Sequence, residues 1–155
     1  MAVTVAQMND GLATTLGTIS GITTTHTYDE LLSGMARGNL PLLQVYWDEF
    51  GPLSEDSRTD RTSFQGVVRH KIFRFLCDLY VSPVSHLGEN MATMVDLLDE
   101  FIDKFEEQDT PPYFGVTGVK AWQLETVNRV VFDYGGGSTP ARYLGIRFPV
   151  VMHVY

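Results

Sequence analysis

The period of the hydrophobic positions changes several times along the chain, and each change marks an element. Val5, Met8, Leu12, Leu16 and Ile19 recur at steps of three and four, which is one face of a short amphipathic helix. Thr4 and Gln7 ahead of it have the spacing of a capping box, and the Ser20–Gly21 pair is expected to end it. Residues 22–28, ITTTHTY, are β-branched and polar, which suits a short strand on a half-exposed surface. Residues 33–39, SGMARGN, read as a flexible connection. From Leu40 to Phe50 the period is two, with Leu43, Val45 and Trp47 on one face and Gln44, Tyr46 and Asp48 on the other. Gly51 to Ser63, GPLSEDSRTDRTS, has turn residues, mixed charge and almost no apolar anchor, and predicts a long mobile loop over 51–64.

A β-prone run follows from Gln65 to Val81. Phe73, Phe75, Cys77 and Leu79 form one row, with Arg74 and Asp78 opposite. Ser82–Pro83 is expected to break this strand. Val84 to Gln108 predicts a long helix, because Leu87, Met91, Met94, Leu98, Phe101 and Phe105 alternate steps of four and three. Val95 and Ile102 widen that stripe, and Asp109 with Pro111–Pro112 stops the helix. The last third predicts a hairpin: a strand from Lys120 to Tyr134, a loop over Gly135 to Pro140, and a strand from Ala141 to Tyr155. In the final strand Leu144, Ile146, Phe148, Val150, Met152 and Val154 fall on every second residue. Pro149 stands on the opposite row and lacks a ladder donor, which suggests an edge or a bulge. The expected order is α-β-β-β-α-β-β, a single α+β domain over 1–155 whose antiparallel or mixed sheet is flanked by two amphipathic helices.

Composition narrows the class. The 155 residues are 44% hydrophobic and 12% aromatic, a globular balance. The net charge of −8 disfavours nucleic acid or an anionic membrane as a partner, since binding either needs a cationic surface. No apolar run approaches the length of a membrane span, and no basic region followed by an apolar stretch opens the chain. With the single Cys77, a soluble protein made in a reducing cytoplasm is expected, with neither an intrachain disulfide nor a cysteine-based zinc site. Cys77 itself reads as a small buried hydrophobe.

The charge is unevenly placed. Between Glu89 and Asp109 eight acids stand against one base, Lys104, so nearly all the net charge belongs to the second helix and its exit. Arg69, Lys71 and Arg74 outnumber Asp78 in the preceding strand. Separated acidic and basic zones let copies of one chain dock head to tail.

No constellation of reactive groups emerges. Asp48 and Glu49 are neighbours in a strand, so their side chains point to opposite faces. His26, His70, His86 and His153 lack the spacing of a metal pair. Gly135–Gly137 has neither the lysine nor the downstream helix of a phosphate loop, and Ser54, Ser57 and Ser63 lie outside any nucleophile elbow. The expectation is a protein without catalytic residues, cofactor or metal, acting through its surface. Arg58, Asp60 and Arg61 in the long loop, and Asp99, Asp103 and Glu106 on the second helix, are the candidate protein-interface residues. Read as ordinary solvated charges, each contributes under about 1 kcal/mol.

The chain resembles the tail-terminator (tail-completion) proteins of long-tailed bacteriophages. The similar parts are an N-terminal helix ending in a short turn (GTISGI, 17–22), a strand entered through a proline (NLPLLQVYW, 39–47), a long polar loop, a long strand, one amphipathic helix and a closing hairpin ending in YLGIRFPVVMHVY (143–155). The resemblance implies a mixed sheet with flanking helices and a hexameric ring at the head-proximal end of the virion tail. Such a ring caps the tail tube, ends addition of the major tube protein and meets the neck or head-completion protein. DNA would pass through its lumen without specific binding. Another head–tail connector component, such as a head-closure, neck or minor tail protein, is the alternative.

Overall fold

The computed structural model describes residues 3–27, 37–50, 71–134 and 141–154. The expected connection at 33–39 falls mostly outside them, and the 51–64 loop and the 135–140 hairpin tip lie outside them altogether. In chain order the elements are α1 (Val5–Gly17), β1 (Thr24–His26), β2 (Leu42–Phe50), β3 (Lys71–Pro83), α2 (Leu87–Glu106), β4 (Val119–Leu124), β5 (Asn128–Tyr134) and β6 (Ala141–Val154).

The α+β class holds, with one strand more than expected. The described strands form one mixed sheet in the order β1-β2-β3-β6-β4, and β5 also pairs with β6. Only the β1–β2 pair is parallel; β3 and β6 form the antiparallel centre.

Period two divides the sheet into two faces. On one face Leu43, Val45, Phe75, Cys77, Leu79 and the alternate residues of β6 from Leu144 to Val154 share a core with Met8, Leu12 and Leu16 of α1 and Met94, Leu97, Phe101 and Phe105 of α2. Both helices therefore cover the same face. The capping box of α1 forms as its spacing predicts: the Gln7 amide donates to Thr4 Oγ1 (3.1 Å) and the Thr4 amide to Gln7 Oε1 (2.9 Å). Helix α1 stops at Gly17 instead of Ser20–Gly21, and the turn beyond it closes at Gly21, whose φ of 97° favours glycine.

Strand β3 ends at Pro83, as expected of Ser82–Pro83, after shifting register against β6 between Tyr80 and Ser82. Some of the remaining expectations are corrected. Val84–His86 is a short 3-10 turn, and α2 proper spans Leu87–Glu106.

The run 120–134 is two strands. The Glu125 amide donates to the Pro149 carbonyl (2.9 Å), so the position where Pro149 lacks an N–H faces the same side. That missing donor falls where β4 ends and β5 has yet to begin. Pro149 is thus buried on a central strand, opposite Leu76 of β3, at neither an edge nor a bulge of its own strand. The proline is tolerated there because the neighbouring strand is interrupted beside it.

The stripe of α2 is narrower than its sequence period suggests. Val95 is 50% and Ile102 39% exposed, whereas Leu97 is buried. Among the described residues no helix is long and apolar enough to cross a membrane.

Candidate functional site

The second face of the sheet carries the fold's buried charges. Asp78 and Arg147 stand directly opposite each other on β3 and β6. Arg147 grips the carboxylate with two nitrogens, Nε to Oδ1 at 2.8 Å and Nη2 to Oδ2 at 3.0 Å. From β2 the Tyr46 hydroxyl donates to Asp78 Oδ2 (2.6 Å) and accepts from Arg147 Nη2 (3.3 Å). The Arg147 guanidinium also lies over the Phe132 ring, 5.6 Å from its centroid. Burial, and then the hydrogen bond to Asp78, hold the Tyr46 phenol well above its ordinary value. Hydrogen bonding to Asp78 likewise raises the Arg147 guanidinium above its ordinary value.

Beside this network Leu42, Tyr80, Phe132 and Tyr143 form a second, smaller apolar cluster. At its other side Arg74 bridges Asp48 and Glu125, with 2.7 Å from Nε to Glu125 Oε2. Burial pulls the Arg74 guanidinium down, but the two carboxylates outweigh it and the net shift is upward. Each of these charges is matched by a partner inside the chain. The arrangement fixes strand register, because a one-residue slip would carry Asp78 and Arg147 into the apolar core.

The expected basic zone on β3 is accordingly reduced. Arg69 lies outside the described residues, Arg74 is neutralised, and Lys71 alone stands exposed. Asp48 pairs with Arg74, on a strand whose register shifts between Trp47 and Glu49. Cys77 is buried as expected.

The open surface lies on the helix-covered face, at the end of α2. Ile102, Phe105, Glu106, Gln108 and Asp109 form one wall of a groove of about 420 Å3, and Trp122 and Leu124 of β4 form the other. Gln108 builds it. Its side-chain Oε1 accepts from the Phe114 amide (2.7 Å) and its carbonyl accepts from Trp122 Nε1 (2.8 Å). Phe114 is held at φ 51°, a left-handed conformation that costs a non-glycine residue about 1 kcal/mol or more, and its ring is 1% exposed. Trp122 stacks on Phe105 with centroids 5.7 Å apart and meets the Phe114 ring edge at 5.2 Å. The indole is thus fixed on two rings and one hydrogen bond.

Of the candidate interface residues, Asp99, Asp103 and Glu106 are exposed on α2, and Glu106 lies in the groove wall. Arg58, Asp60 and Arg61 lie outside the described residues. Sequence reasoning missed the Asp78–Arg147–Tyr46 network. Its signal was a single acid within FLCDLYV and a single base within GIRFPVV, since a charge inside an apolar strand needs a partner. Among the described residues no group of three or more His, Cys, Asp or Glu could hold a metal ion.

Comparison with protein-family models finds no match to this chain, and comparison with curated proteins finds none either.

Proposed function

We propose that the chain is a structural protein of a phage tail, whose copies form a hexameric ring at the head-proximal end of the tail tube. The ring ends tube growth and presents a surface to the neck, and its work is done by shape and charge without catalysis. The observation that carries this reading is the outer face of α2. There Val95 and Ile102 stand exposed among Asp96, Asp99, Glu100 and Asp103. An apolar row inside an acidic surface is suited to contact with another protein. Meanwhile the buried Asp78 and the half-buried charges beside it on the second face are paired within the chain. The succession of capped helix, strand, long strand, amphipathic helix and closing β6 follows the one on which the likeness to tail terminators rests, with one strand more after α2. An acidic surface turned to the lumen would let DNA slide past.

The reading is tested by electron microscopy of the purified protein added to growing tail tubes. Rings seated at one end of tubes of uniform length are expected. A chain that leaves tube length unchanged and binds no tube end would remove the proposal.

A further inference from the structure

Two rows of side chains cross the helix-covered face from β2 through β3 and β6 to β4. One row is Phe50, Phe73, Met152 and Trp122; the second is Trp47, Phe75, Val150 and Leu124. The middle members are buried, with Phe75, Val150 and Met152 at 0% exposure. Both rows surface at their ends. On β2, Trp47 is 48% and Phe50 54% exposed, and Phe50 is braced on the Phe73 ring at 5.1 Å. On β4, Trp122 and Leu124 form one wall of the groove, facing Ile102 and Phe105. The rows thus end in protruding aromatic rings on β2 and in an apolar recess at β4.

We infer that the β2 end of one copy seats in the α2–β4 groove of the next, and that this is the contact between neighbours in the ring proposed above. The inference rests on that reading. Its occupant is a second copy because the chain itself carries the matching surface. Exposed Lys71 lies on the same face of β3 as Phe73, beside Phe50, while the groove carries Glu106 and Asp109 and no cation. Aromatic rings with a lysine therefore meet an apolar recess with two acids. The two surfaces lie at different strands of one sheet, the end of β2 beyond its pairing with β1 and the strand β4, so the contact is heterologous and repeats from copy to copy. Such a contact closes into a ring where its rotation permits.

The test uses two variants of the full chain altered at exposed positions. Trp47→Asp with Phe50→Asp removes the protruding rings and leaves the groove. Ile102→Lys with Glu106→Lys spoils the groove and leaves the rings. In sedimentation velocity the wild type is expected to form species larger than a dimer, and each variant alone to remain monomeric. An equal mixture should give a dimer and nothing larger, since only one complementary pair of surfaces remains. Assembly that persists in either variant, or a mixture that stays monomeric, overturns the inference and leaves the ring proposal standing. A wild-type chain that is monomeric both alone and with tail tubes removes both. Should either variant lose its circular dichroism, Trp47→Cys and Ile102→Cys chains are mixed and oxidised instead. A disulfide joining the two different chains is expected, and linkage only between identical chains counts against the contact.

Discussion

Phe101 of α2 lies flat on Phe148 of β6, with ring centroids 4.4 Å apart and planes inclined by 10°. Both rings are fully buried, and the pair fastens the second helix to the central strand. Phe101→Ala is expected to cost about 3–5 kcal/mol, whereas Ile102→Ala, one residue on and 39% exposed, should cost well under half as much. Urea unfolding of both variants checks this. Equal losses would mean that the helix is rotated from the orientation described.

Removing one member of the buried ion pair should be worse than removing both. Asp78 has only 2% of its side chain exposed, against 35% for Arg147. Arg147→Met therefore strands the less solvated charge and is expected to cost about 3–5 kcal/mol. Asp78→Asn leaves a guanidinium that still reaches water and should cost less. The double variant Asp78→Leu/Arg147→Met should recover much of the loss, and thermal unfolding of the set measures it. Strict additivity of the two single changes would sink the pairing.

Burial, with Asp78 adding to it, pushes the Cys77 thiol well above its ordinary value. As pH rises past that ordinary value, the unfolded chain loses its proton first. Stability therefore falls, by up to about 1.4 kcal/mol per pH unit for this group. Below that range the thiol exerts no such effect. The raised Tyr46 phenol acts in the same direction at higher pH. Cys77→Ala should flatten the slope that begins above pH 9. Because Cys77 is the chain's one cysteine, a thiol reagent at pH 8 should also react only as fast as the protein opens. Immediate stoichiometric labelling under native conditions would contradict its burial.

Gly145 permits the close approach of β6 to β3. A Cβ there would collide with the Leu79 carbonyl oxygen and sit 2.7 Å from the Phe132 ring. Gly145→Ala is expected to destabilise by about 1–3 kcal/mol, measured as a lowered Tm. A neutral result would mean that the two strands are further apart at this point.

Elements with strong periods were legible in advance. The rows Phe73 to Leu79 and Leu144 to Val154, the capping box of Thr4 and Gln7, and the inward set Met94, Phe101 and Phe105 all stand where their spacing puts them. The rest depended on contacts between distant segments. Val95 and Ile102 fit the helical period but face outward, because the buried side of α2 is centred on Met94, Leu97, Phe101 and Phe105. The break after Leu124 is set by Pro149, twenty-five residues further on. The groove could not be foreseen from composition either. It exists because Gln108, a polar residue at the helix exit, holds Phe114 and Trp122 by one hydrogen bond each.

Pro149 has a further consequence. By interrupting the strand beside it, it leaves the outer margin of the sheet as two short lengths, six residues in β4 and seven in β5, with no long rail of unpaired amides and carbonyls. A stray extended peptide finds no continuous template there, which guards the chain against indiscriminate cross-strand growth. Partners at this margin must then be recognised by the side chains they meet, and registry between copies becomes a matter of fit.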